Sequence, residues 1–234
     1  MLQAVRWLVW LPSVSYLTGS LLAAVLQTQR WRALAAATRC ALAAAVISCV
    51  VTLINGRGTA GAAGTGAASL VTVLIAFLGW IIGDYSRRYL RGEPGQTRFV
   101  VAYMVTLAAV STVVTSPNFA VLIAAWAASS AGLHHLLTFY RERPAALIVA
   151  HKKFLASRLA EACLIVAAVL LYREWGTLDL AAIDAKAQAA ASLTSTGGAA
   201  ATLIALAVLL KCAQLPLHGW LIQVMEAPTP VSAL

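Results

Sequence analysis

The sequence predicts an all-α fold, a polytopic bundle of transmembrane helices, and two observations lead to this class. Hydrophobic residues make up 61% of the 234 residues and charged residues only 11%, whereas a soluble domain has about 25% charged residues. The apolar residues also form runs close to the length of about 20 that an α-helix needs to cross a bilayer. An ordinary soluble domain is therefore excluded.

Seven apolar runs are predicted to span the membrane. They cover residues 7–26, 34–54, 69–85, 99–114, 119–139, 154–172 and 198–215. A glycine- and alanine-rich stretch, 55–68, is predicted to be a flexible connection, which divides the chain into an N-terminal region, 1–68, and a core region, 69–234. Ser116-Pro117-Asn118 predicts a tight turn between spans four and five, and 179–191 predicts a short surface helix.

The seventh span is predicted to be a broken helix. Pro216 removes a backbone donor and so interrupts the helix at that point. The motif Pro228-Thr229-Pro230 then predicts the start of an eighth helix. The chain therefore contains helices one to seven and the beginning of the eighth, and we expect it to be truncated.

The net charge of +9 is explained by membrane orientation. Basic residues are concentrated in the first, third and fifth connections: Arg30, Arg32, Arg87, Arg88, Arg91, Arg98, Arg141, Arg143, Lys152 and Lys153. Because cytoplasmic loops carry an excess of Lys and Arg, odd-numbered connections are predicted to be cytoplasmic and the N-terminus to face outward. This pattern argues against a nucleic-acid partner and for contact with membrane lipid.

Lys211 is a charged residue within the seventh span, a few residues before Pro216. A charge at membrane depth costs at least about 2.5–3.5 kcal/mol on insertion scales, and a broken helix near such a charge is one way to build an ion or proton site. Alternatively, Lys211 extends toward the cytoplasmic surface. Position alone leaves both interpretations open.

Arg158 and Glu161 are three residues apart on the sixth span and therefore share a helix face. They form either a structural ion pair near the membrane edge or part of a proton path. His134 and His135 are adjacent and point to different faces, which makes them poor metal ligands without partners. We expect no metal, no other cofactor and no catalytic group in this chain, because no nucleophile–base pair or phosphate-binding loop is present.

The segment from Lys211-Cys-Ala-Gln-Leu-Pro-Leu-His-Gly-Trp to Pro-Thr-Pro-Val-Ser-Ala-Leu234 resembles the signature of the proton-translocating antiporter-like family. That family includes subunit L of respiratory complex I and subunits of Mrp antiporters. The resemblance implies an inverted-repeat fold of which this chain is the N-terminal part. It also implies that Lys211 is the central proton-relay residue and that Glu161 and Arg158 belong to the same path. The other matching signature positions are Pro216, His218, Glu226, Pro228 and Pro230.

One position departs from the respiratory members of this family. They carry a glutamate directly after the helix-five tryptophan, whereas here Ala127 follows Trp126. His134 lies seven residues further on, about 20° around the helix from Ala127. Our hypothesis is that His134 supplies some of the missing protonation chemistry.

The run from Ser129 to Tyr140, with Arg143-Pro144 and His151-Lys-Lys-Phe154, resembles one branch of the family. That branch comprises membrane subunits of DAB inorganic carbon accumulation complexes in the bacterial inner membrane. It implies conduction of H⁺, or Na⁺, to energise a peripheral cytoplasmic partner, a DabA-like zinc protein resembling β-carbonic anhydrases. The alternatives are a proton-pumping subunit of complex I or an Mrp antiporter, and a non-conducting membrane anchor.

Overall fold

The computed structural model describes residues 7–55, 62–140, 142, 144–190, 194–212 and 228–232. Within these ranges the regular secondary structure is helical, with short connections and one isolated β-bridge between the helices. The helices are α1 (Leu11–Val25), α2 (Arg30–Asn55), α3 (Ala62–Tyr89), α4 (Gln96–Thr115), α5 (Phe119–Leu137), α6 (Pro144–Trp175), α7 (Leu180–Ala189), α8 (Ser195–Lys211) and α9 (Thr229–Ser232).

Five described helices are long and apolar enough to cross a membrane, and they are α2 to α6. The helices predicted as the first and seventh spans are also apolar but shorter, with 15 residues in α1 and 17 in α8. Both are shorter than the length of about 20 residues that a span needs. α1 covers Leu11–Val25 of the predicted 7–26, and α8 ends at Lys211, four residues before the predicted end. The prediction of an all-helical, multi-pass membrane protein is confirmed.

Two predicted boundaries are wrong. The connection 55–68 is partly helical, because α3 begins at Ala62 and alanine has the most favourable helix propensity. The sixth helix begins at Pro144, ten residues before the predicted start, and proline is well tolerated in the first turn of a helix. Lys152 and Lys153 therefore lie on α6 and not in the fifth connection. The surface helix is confirmed as α7, with the Asp179 side chain accepting a hydrogen bond from the Ala182 amide (3.0 Å).

Contacts between connections define the two ends of the bundle. At one end, the Arg30 guanidinium and the Trp31 indole both donate to the Gln96 amide oxygen (3.0 and 2.8 Å). Arg98 donates to the Thr138 hydroxyl at the same end (3.2 Å). At the other end the Phe119 amide donates to the Leu178 carbonyl (2.8 Å). The first, third and fifth connections thus lie at one end, and the fourth and sixth lie together at the other.

The buried side chains form two clusters. The first, which we call the aromatic core, lies between α1, α2, α3 and α4 and contains Tyr16, Phe99, Tyr103 and Met104. The second joins α5, α6 and α8. On α5 it contains Phe119 and Ile123, and its small residues on α6 and α8 are Ala160, Cys163, Ala167, Ala200 and Ala207. Small side chains let transmembrane helices approach closely and gain van der Waals contact. This close packing brings the polar residues of α5, α6 and α8 together.

Candidate functional site

Lys211 is the last residue of α8, and its side chain points into the bundle. Only 10% of that side chain is exposed. Its ammonium donates a hydrogen bond to the Ser130 hydroxyl on α5 and lies 3.8 Å from the Glu161 carboxylate on α6. It also lies 5.2 Å from the centre of the Trp126 ring, within the range of a cation–π interaction. These contacts favour the interior site over an extension toward the membrane surface.

Glu161 is shared between two cations. Its carboxylate is 2.7 Å from the Arg158 guanidinium, one turn earlier on α6, and 3.8 Å from the Lys211 ammonium. The Glu161 side chain is 7% exposed and that of Arg158 is 43% exposed, so the pair runs from the interior toward the outside of the bundle. Burying a carboxylate is costly unless it is paired, and here two cations compensate it. The structure thus brings together Arg158, Glu161 and Lys211.

Lys153 is a further buried cation that the sequence analysis missed, because it was counted among the charges of the fifth connection. It is 5% exposed, and its ammonium donates to the Ser130 backbone carbonyl (2.9 Å). Ser130 therefore contacts two lysines, Lys153 through its carbonyl and Lys211 through its hydroxyl. A signal was available in the sequence, since Lys153, Ser157 and Glu161 recur every four residues and share one helix face. We call Ser130, Lys153, Arg158, Glu161 and Lys211 the polar cluster.

His134 lies outside the polar cluster. Its ring is 5.1 Å from the Phe154 ring and 6.1 Å from the His151 ring, and its buried Nδ1 has no hydrogen-bond partner in the part of the chain that the structure describes. Within the described residues no hydrogen bond or ion pair joins His134 to Lys211 or Glu161. Ser130, three residues after Ala127, makes the contact with Lys211 instead. The proposed role of His134 in protonation chemistry remains a prediction.

The signature residues divide into two groups. Pro216, His218 and Glu226 lie outside the described residues. Pro228 and Pro230 are fully buried at the start of α9, where the Val231 amide donates to the Pro228 carbonyl (2.8 Å). Across the described ranges, no group of three or more His, Cys, Asp or Glu side chains could hold a metal ion.

The fold and this site define a multi-pass membrane protein with antiporter-like architecture. The chain belongs to the NADH:quinone oxidoreductase/Mrp antiporter transmembrane family, whose model matches residues 116–234. In structure it is similar to the membrane-bound sulfane sulfur reductase, an archaeal respiratory membrane complex (TM-score 0.78, 16% identity, 98% of this chain and 49% of that chain). It is also similar to the Mrp complex from Dietzia sp. DQ12-45-1b (TM-score 0.77, 22% identity, 98% and 26%). These likenesses show the shared fold.

Sequence relatives show which members of the family this chain is similar to. The chain is 49% identical over 162 residues to the probable inorganic carbon transporter subunit DabB of Hydrogenovibrio crunogenus, covering 69% of this chain and 31% of that protein. It is 47% identical over 161 residues to subunit DabB2 of Halothiobacillus neapolitanus (69% and 29%). Subunit L of NADH-quinone oxidoreductase from Mycobacterium tuberculosis is 35% identical over 164 residues (69% and 25%). The predicted resemblance is confirmed, and the match spans about a third of the length of the DabB relatives.

Proposed function

We propose that this chain is part of the membrane subunit of an inorganic carbon transporter and that it conducts a cation, H⁺ in preference to Na⁺. Its similarity to DabB subunits supports the transporter assignment. The observation that carries cation conduction is the polar cluster, in which Lys211 reaches both Ser130 and Glu161 across three helices. The cation gradient would energise accumulation of CO₂ as bicarbonate.

The polar cluster has the properties of a proton path. Charged side chains inside membrane segments are costly, and they mark ion pathways and proton relays. The three inner groups each touch two others: Ser130 lies between Lys153 and Lys211, Lys211 between Ser130 and Glu161, and Glu161 between Lys211 and Arg158. A proton that leaves Lys211 therefore has neighbours on both sides. Because Ala127 supplies no carboxylate, Ser130 holds the lysine on the α5 side.

The proposal extends to the partner and the location. The zinc site and the CO₂ hydration chemistry would belong to a DabA-like protein on the cytoplasmic side, and this chain would act as the transporter rather than as an enzyme. The protein would lie in the bacterial inner membrane with its N-terminus outside, since the basic connections share one end of the bundle.

Substitution of Lys211 in the full-length subunit tests this function. Lys211→Met keeps most of the apolar stem and removes the charge, so we expect bicarbonate uptake to fall by more than about tenfold while the complex still assembles. Lys152→Met, an exposed lysine on α6, is the matched control and should leave uptake intact. Unchanged uptake in an assembled Lys211→Met complex would instead support a non-conducting anchor.

Co-purification separates the remaining alternative. The proposed function predicts a large zinc-binding partner in the purified complex. Quinone- or flavin-linked subunits in its place would support the respiratory assignment, to which the name of the M. tuberculosis relative corresponds.

A further inference from the structure

We propose that a cavity beside the polar cluster binds a small monovalent inorganic anion. The cavity has a volume of about 250 Å³ and lies where α3, α4, α5, α6 and α8 meet. Lys153 and Lys211 reach it from two helices, and Ser157 lines it between them. The remaining wall is largely apolar and includes Leu78, Leu107, Leu133 and Leu210.

The charge balance of the described residues leaves a cation to be compensated. The polar cluster contains three cationic side chains, Lys153, Arg158 and Lys211, and one carboxylate, Glu161. That carboxylate is occupied by Arg158 at 2.7 Å and Lys211 at 3.8 Å. No carboxylate within the described ranges forms an ion pair with Lys153, although only 5% of the residue is exposed. A buried charge without a counter-charge is strongly unfavourable, so an anion in the cavity would stabilise this arrangement.

The hydrogen-bond donors that remain unused also converge on the cavity. An ammonium has three N–H donors, and Lys153 uses one of them for the Ser130 carbonyl. Ser157, one turn further along α6, is 3% exposed, and its hydroxyl makes no hydrogen bond to any described residue. The Ser130 hydroxyl, by contrast, already donates to the Trp126 carbonyl (3.0 Å). Lys153 and Ser157 are therefore donors that an anion would meet, together with the Lys211 ammonium that lines the same cavity.

The size and the walls of the cavity define the class of anion. A water molecule takes up about 30 Å³ in the liquid, so the cavity accommodates an anion of up to about four heavy atoms together with part of its hydration shell. Desolvation becomes much more costly as charge increases, and the leucine walls offer no further donors. These features favour a monovalent species, and bicarbonate and chloride share the required chemistry. Only the choice of bicarbonate as a probe rests on the proposed function.

Binding can be measured on the intact complex in lipid nanodiscs by the line broadening of ¹³C-bicarbonate and, in a separate arm, of ³⁵Cl-chloride. We expect saturable broadening that Lys153→Met weakens at least about tenfold, as expected for loss of a hydrogen-bonded charge. Ser157→Ala should weaken it by a smaller factor, with little effect on folding because it removes one hydroxyl. Lys152→Met is the matched control and should bind like the wild type. If the broadening saturates with only one of the two anions, that anion is the one the cavity binds.

The anion site is wrong if neither anion gives saturable broadening, or if Ser157→Ala and an assembled Lys153→Met both bind like the wild type. This outcome is distinguishable from failure of the proposed function. If Lys211→Met abolishes uptake while Ser157→Ala and Lys153→Met both bind the anion like the wild type, only the anion site is wrong. If Lys153→Met and Ser157→Ala abolish binding while Lys211→Met leaves uptake intact, the anion site is supported and conduction through Lys211 is contradicted.

Discussion

The aromatic core and the polar cluster both bury polar side-chain groups among membrane helices, but they satisfy them differently. In the aromatic core, the Tyr103 hydroxyl donates to the Gly79 carbonyl (2.8 Å), while the buried Tyr16 hydroxyl has no hydrogen-bond partner among the described residues. In the polar cluster, charged side chains contact one another across α5, α6 and α8.

The difference lies in the number of exchangeable partners. A neutral hydroxyl bonded to a backbone carbonyl fixes two helices together and has no second arrangement of similar energy. Glu161 and Ser130 each lie between two cations, and the proposed function requires a proton or a contact to move from one neighbour to the other. We therefore expect substitutions in the aromatic core to change stability and substitutions in the polar cluster to change transport.

The largest expected effect is that of Ser130→Ala on transport. The substitution removes the hydroxyl that accepts from Lys211 and keeps the carbonyl that accepts from Lys153. Loss of a hydrogen bond to a charged group costs about 1.5–3 kcal/mol, so bicarbonate uptake should fall by about 10–100-fold. Ser129→Ala is the control, since that hydroxyl bonds only the Trp126 carbonyl on its own helix (2.7 Å). Equal uptake by the two variants would contradict the assignment of Ser130.

A smaller effect is expected where the two regions meet. A Cβ at Gly132 on α5 would collide with the Thr106 hydroxyl and lie 3.4 Å from the Ala102 carbonyl on α4. Gly132→Ala should therefore lower the free energy of unfolding by about 1–3 kcal/mol, measured by thermal unfolding in detergent. A Cβ at Gly198 on α8 meets nothing within 4 Å, so Gly198→Ala should raise stability by about 0.5–1 kcal/mol. The same sign for both variants would show that α4 and α5 do not pack this closely.

The smallest effects separate the two buried tyrosines. Tyr103→Phe leaves the Gly79 carbonyl without its side-chain donor and should cost about 1 kcal/mol of unfolding free energy. Tyr16→Phe removes a hydroxyl that has no partner, so stability should stay the same or rise slightly. Both variants should retain bicarbonate uptake. Loss of uptake in Tyr16→Phe, with stability unchanged, would contradict the expectation that the aromatic core affects stability and the polar cluster affects transport.

The sequence was sufficient for the class of fold but not for the arrangement of the site. Hydrophobic length predicts helices, and the connection charges predict which ends lie together. The start of α6 was misplaced because charged residues were taken to lie outside the membrane, and this hid Lys153. Helical periodicity relates Arg158 to Glu161 on one helix, whereas the contact of Lys211 with Glu161 joins residues 50 positions apart. The angle between Ala127 and His134 describes one helix alone and could not show that Ser130 faces α8.

The isolated backbone pairing at one end of the bundle has a mechanical consequence. Two amide-to-carbonyl bonds, Phe119 to Leu178 and Leu180 to Pro117 (both 2.8 Å), fasten the start of α5 to the segment that follows α6. Ser130 lies twelve residues from Asn118, about 18 Å along the helix axis. With this end held in place, a tilt of α5 by about one degree would displace Ser130 by about 0.3 Å. Tilting by a few degrees would be enough to separate Ser130 from Lys211, without any helix sliding past its neighbour.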